Sequence, residues 1–130
     1  MAHIAIVDDD KNILTSLRMA LASEGYSVET YDDPLIALPK LIFVPPDLLI
    51  LNGRMPGMHG IEFFQKFRQY CKAPVIFLSA SAEEICEQLD EIGLAASDYV
   101  NKPFSQRQII GLVARVLRQH ANGTVAGPAS

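Results

Sequence analysis

Four short stretches of this 130-residue chain bear the side chains best suited to chemistry. Asp8-Asp9-Asp10 ends one apolar run and Asn52 ends another, inside PPDLLILNGRMPGMHG. Ser79 ends a third, and Lys102-Pro103 follows a fourth. If these runs are parallel strands of one sheet, all four sites meet at its carboxyl edge, where open α/β sheets bind their ligands. Such a meeting makes an acidic, metal-binding phosphoryl-transfer pocket. Asn52 then stands where a reactive aspartate is expected, and its amide removes the acceptor.

The elements that must position these residues are legible as strand-like apolar runs alternating with helix-period segments, the pattern of βαβ units and a parallel sheet. Five pairs are predicted. The first strand is His3 to Val7. Its helix runs from Lys11 to Glu24, with Ile13, Leu14, Leu17 and Leu21 at helical spacing, Asp10 as N-cap and Gly25 at the end. The second strand is Ser27 to Tyr31, and Asp32-Asp33-Pro34 opens a helix that Pro39 should shorten or kink. The third strand, Leu48 to Leu51, is apolar throughout and so belongs at the centre, covered on both faces. Helix 3 spans Gly60 to Tyr70, strand 4 Val75 to Leu78 and strand 5 Asp98 to Val100. Helix 4 covers Ala82 to Leu94, with Ile85, Leu89 and Ile92 on one stripe. Helix 5 runs from Ser105 to Gln119, with Ile109, Leu112, Val113 and Val116 inward. One domain is expected over residues 1–120, and residues 121–130, ANGTVAGPAS, read as a disordered tail or linker start.

Composition narrows the function classes. A net charge of -4 argues against a general nucleic-acid surface, which needs clustered Lys and Arg to displace counterions. Cys71 and Cys86 lie apart without metal-ligand spacing and read as cytosolic thiols. IAIV is too short for a signal peptide, and no run approaches the roughly 20 apolar residues of a membrane span, so a cytoplasmic protein without a membrane partner is expected.

Taken together and in order, IVDDD, LLILNGRMPGMHG, VIFLS and DYVNKPF resemble the receiver domain of bacterial two-component response regulators over nearly the whole chain. VDDDKNILTSL, EGYSVETYDDP and NKPFSQR look closer still to the OmpR family, in its alphaproteobacterial ChvI branch. The resemblance implies a flavodoxin-like (βα)5 three-layer sandwich with a parallel five-stranded sheet in the order 2-1-3-4-5. It implies a signalling module, not an enzyme, phosphorylated with Mg²⁺ by a sensor histidine kinase on the aspartate that Asn52 replaces. Asp9 is similar to the direct Mg²⁺ ligand and Asp8 to its water-bridged neighbour, with the Asn52 side chain and the Arg54 backbone carbonyl completing the set; Mg²⁺ binding is expected to be weak in this form. Lys102 resembles the lysine that neutralises phosphoryl oxygens, aimed by a cis bond before Pro103. Ser79 resembles the hydroxyl that bonds a phosphoryl oxygen, and Tyr99 the rotating aromatic that senses it. DNA contact would need an effector domain that this stretch lacks.

The departures are as informative. The interval from Ser79 to Lys102 is one residue longer than the family pattern, which predicts a shifted or bulged helix 4. The OmpR resemblance implies a homodimer through helix 4, strand 5 and helix 5, but Leu112 replaces its pairing arginine and Gly111 weakens the helix, which argues against that dimer. Asn52 itself fits either a deliberate phosphoablative substitution or a natural receiver that has stopped using phosphate. A haloacid-dehalogenase-type phosphatase would use Asp8 and Asp10, yet the late acidic pair and cap it needs are not visible. A flavodoxin would need a Ser/Thr-rich loop where carboxylates stand here. The remaining alternative is a phosphate-independent pseudo-receiver that serves as an interaction module. Asn52-Gly53 is also a chemically labile pair, because the Gly53 nitrogen can attack the Asn52 amide carbon, expelling ammonia to form a succinimide that hydrolyses to aspartate or isoaspartate, unless a rigid loop forbids the approach.

Overall fold

The computed structural model describes residues 1–121. Five parallel strands, β1 (His3–Val7), β2 (Ser27–Tyr31), β3 (Leu48–Asn52), β4 (Val75–Ser79) and β5 (Asp98–Asn101), lie in the order β2-β1-β3-β4-β5. They alternate with helices α1 (Lys11–Ser23), α2 (Pro34–Phe43), α3 (Gly60–Arg68), α4 (Ala82–Glu91) and α5 (Gln106–Ala121). This is the doubly wound three-layer sandwich expected. No helix among the described residues is long and apolar enough to cross a membrane.

The period-two alternation of strand side chains splits the core in two. Ile4, Ile6, Leu48, Ile50, Ile76 and Leu78 pack under α1 and α5. Ala5, Val7, Leu49, Leu51, Val75 and Phe77 face α2, α3 and α4. Every residue of β3 is buried, as its unbroken apolar run requires. The register aligns Val7 with Leu51, Asn52 with Leu78 and Ser79 with Asn101, so the strands end side by side at one edge.

Several boundaries differ from the sequence reading. Helix α2 continues through Pro39 to Phe43. Pro39 lies on the solvent face, where the carbonyl of Leu35, four residues back, can be hydrated in place of its helical bond. Helix α4 is a regular helix without a bulge, and it stops at Glu91. Ile92 is 44 % exposed, so it leaves the predicted inward stripe. Gly93, at φ +75, turns the chain so that Leu94 donates its N–H to the Leu89 carbonyl and packs on the core instead. On α5, Ile109, Val113 and Val116 are buried while Leu112 is only half-buried. Helix α1 ends at Ser23 and α3 at Arg68, slightly short of expectation, and α5 reaches Ala121. The expected tail otherwise falls outside the described residues.

Gly60 shows how closely α3 approaches the sheet edge. A Cβ there would stand 2.3 Å from the Asn52 carbonyl oxygen and 2.9 Å from the Gly53 Cα, both backbone atoms. Gly60→Ala should therefore cost about 2 kcal/mol or more, read as a fall in the urea midpoint. Gly111, with nothing near its Cβ position, should behave oppositely: Gly111→Ala is expected to add about 0.5–1 kcal/mol by removing a mid-helix glycine.

Candidate functional site

The end of β1 begins the site. Asp10 caps α1 by accepting from the backbone N–H groups of Asn12 and Ile13, at 2.9 and 3.3 Å. That turn points Asp8 and Asp9 over the sheet edge toward Asn52. Asp8 has no solvent exposure, and burial pushes its carboxyl above the ordinary aspartate range, against the opposing pull of the Asp10 N–H and the Lys102 ammonium.

One amide joins this cluster. Asn52 Nδ2 donates toward Asp8 Oδ1 (3.2 Å), Asp9 Oδ1 (3.0 Å) and the Arg54 carbonyl (2.7 Å). Lys102 Nζ donates to Asn52 Oδ1 at 3.0 Å and to Asp8 Oδ2 at 3.2 Å. The chemistry of the partners orients the amide: an ammonium only donates and carboxylate and carbonyl oxygens only accept, so oxygen faces Lys102 and nitrogen faces the acids. The Lys102-Pro103 bond is cis. No buried side-chain polar atom among the described residues lacks a partner.

These residues line a cleft of about 560 Å³ together with Asp10, Ser79, Ser81, Glu84 and Ile85. The structure thus brings Asp8, Asp9, Asn52, Arg54, Ser79 and Lys102 together. The Ser79 hydroxyl is engaged locally, accepting from the Ser81 N–H at 3.0 Å and donating to the Ser81 carbonyl at 3.1 Å. Tyr99 stands apart from the cleft. Its ring stacks on Phe77, with centroids 6.3 Å apart, and its hydroxyl accepts from the Ala96 N–H at 3.0 Å.

Two residues of the site went unread in the sequence. Ser81 caps α4, accepting from the Glu84 N–H at 3.3 Å, and Ser81-Ala82-Glu83-Glu84 is a capping-box pattern that could have revealed it. Glu84 does not complete the box. Its carboxylate pairs with Arg54 at 3.1 Å across the cleft mouth, a long-range contact with no sequence signal. Asn101 adds a second tie by accepting from the Ala82 N–H at 2.7 Å.

As a metal site the arrangement is incomplete. Hard oxygens from Asp8, Asp9 and Arg54 converge as a divalent cation would require, but their common point is met by the amide nitrogen of Asn52, not by an oxygen. Among the described residues no group of three or more His, Cys, Asp or Glu is placed to hold a metal ion. The residues present therefore do not fit the cation in their observed arrangement.

The family model described as the response regulator receiver domain matches residues 4–114. The alkaline phosphatase synthesis transcriptional regulatory protein PhoP of Bacillus subtilis is 37% identical over 128 residues, covering 98% of this chain and 52% of PhoP. Response regulator ArlR of Staphylococcus epidermidis is 30% identical over 125 residues, covering 96% of this chain and 57% of ArlR. The chain thus spans about half the length of these relatives. Among solved structures, the chemotaxis protein CheY4 of Vibrio cholerae superposes with a TM-score of 0.80 at 31% identity, over 89% of this chain and 98% of CheY4.

The geometry also bears on the labile Asn52-Gly53 pair. The Gly53 N–H is held by the Leu78 carbonyl at 2.9 Å, and the Asn52 amide is fixed at both ends, so the nitrogen cannot reach the side-chain carbon without opening the edge of β3. Folded protein aged at mildly alkaline pH should keep its amide while a denatured control converts, as scored by peptide mapping. Equal conversion in both would show that the sheet edge opens freely.

Proposed function

This chain belongs to the response regulator receiver domain family, and on that premise we propose that it is a receiver whose acceptor position carries an amide and which takes no phosphoryl group as written. Response regulators receive phosphoryl groups from sensor histidine kinases. The observation that carries the reading is the placement of Asn52 at the end of β3, in contact with Asp8, Asp9 and Lys102. An acceptor must attack phosphorus with an oxygen nucleophile while the kinase imidazole leaves. A neutral amide oxygen, already bonded to an ammonium, is a poor one. Ser79 and Lys102 would stabilise the charge of a transferring phosphoryl group, Tyr99 would report it, and Asn52 withholds the bond.

Receiver domains of this family generally bind Mg²⁺ at their acidic pocket. In this chain the corresponding groups are Asp8, Asp9, Asn52 and the Arg54 carbonyl, and Asn52 presents its Nδ2 to the other three where a carboxylate would present an oxygen, so the weak Mg²⁺ binding expected of the set has no place in this arrangement. Within the family we place the chain with the OmpR type and its ChvI branch, as one domain over residues 1–120 acting in the cytoplasm; any DNA contact would belong to an effector domain beyond the receiver. The ion pair between Asp98 and Arg115 within the chain engages the β5 acid internally. This supports the view that the dimer through α4, β5 and α5 is not its ordinary state.

A second reading, a phosphate-independent interaction module, is favoured by the closed hydrogen bonding of the pocket and by the tie from Ala96 to Tyr99. Both readings meet in one experiment. After incubation with acetyl phosphate and Mg²⁺, intact mass of the native chain should show no phosphoryl adduct. Asn52→Asp should take one base-labile group, and its Tyr99 environment should change in beryllofluoride. A stoichiometric adduct at Asn52 of the native chain overturns the main reading, whereas an inert Asn52→Asp leaves the module.

A further inference from the structure

Asn52 does more than withhold a nucleophile. The three oxygens that converge at the cleft floor belong to Asp8, Asp9 and the Arg54 carbonyl, and each lies within 3.2 Å of the same atom, Asn52 Nδ2. Two amide hydrogens are spread over three acceptors, two of which are oxygens of neighbouring carboxylates that would otherwise repel. The geometry points to the Asn52 amide as an internal substitute for the divalent cation, a neutral cross-link that closes the acidic pocket and makes it independent of Mg²⁺. This rests on the reading of the cluster as a receiver pocket.

The specific obstacle to a cation is the count of oxygens on this side chain. A carboxylate has one oxygen for the cation and one for Lys102. The amide has a single oxygen, and Lys102 holds it at 3.0 Å. Turning the amide over would offer that oxygen to the cation, but it would set the NH2 against the Lys102 ammonium, donor facing donor. It would also strip the Arg54 carbonyl of its 2.7 Å bond. Cation entry therefore requires the loss of several bonds where a carboxylate would lose none.

The test uses the full chain labelled with 15N and titrated with MgCl2 to about 10 mM, with the Asn52 side-chain NH2 signals as the primary readout. These signals should be slow to exchange and should stay in place. The thermal midpoint should agree within about 1 °C between Mg²⁺ and EDTA. Asn52→Asp should melt below the native chain in EDTA, because a third carboxylate replaces the cross-link, and should regain about 5 °C in Mg²⁺. Asn52→Ala should also melt below the native chain in EDTA. Displacement of the native NH2 signals by Mg²⁺, or a native midpoint that rises as much as that of Asn52→Asp, overturns the inference. The native-chain titration decides even if a variant fails to fold. No arm reads phosphoryl transfer, so an Asn52→Asp chain that binds Mg²⁺ but refuses phosphate counts against the receiver reading alone.

Discussion

A fully buried carboxylate must be compensated, because an unpaired charge out of water costs several kcal/mol, and Asp8 has no exposure at all. Its compensation comes from three places far apart in sequence. The Asp10 N–H and the Asn52 amide meet one oxygen, and the Lys102 ammonium meets the other. Those partners sit in the turn that caps α1 after β1, at the end of β3 and just after β5. Satisfying one charge therefore requires β1, β3, β4 and β5 to be in register.

The sheet meets that demand through its alternation. A one-residue shift of β3 would only exchange apolar side chains along Leu48 to Leu51, but it would turn Asn52 away from Asp8 and Lys102, so the polar edge fixes the register that the apolar run leaves open. Gly60 then lets α3 begin against the Asn52 backbone, where any Cβ would collide. The position of the amide is thus set by packing on either side of it as much as by its own hydrogen bonds.

The loops over the cleft carry a second, weaker layer of organisation. Arg54 supplies its carbonyl to the amide and its guanidinium to Glu84, so the segment after β3 is tied to α4 as well as to the acids. Both partners of that ion pair are substantially exposed, and such pairs contribute about 0–1 kcal/mol. Its role is to orient the cleft mouth more than to stabilise the fold. Ser79 and Ser81 form a small hydroxyl-backbone unit beside it, continuous with the start of α4.

The sequence alone determined the alternation of elements and the residues that gather at the sheet edge, because period-two and period-3.6 apolar patterns are local and the chemical residues fall where those patterns stop. Asp10 as a cap was legible for the same reason. The strand order 2-1-3-4-5 came instead from resemblance to a known family, since local patterns do not order strands. The run through Pro39 and the exposure of Ile92 escaped the sequence, because each depends on which face of a helix meets solvent and where a turn ends it. The orientation of the Asn52 amide, its contact with three acceptors and the reach of Glu84 to Arg54 were decided only by tertiary structure. Which end of an amide faces a carboxylate depends on partners as many as 50 residues away along the chain, and no local pattern records their approach.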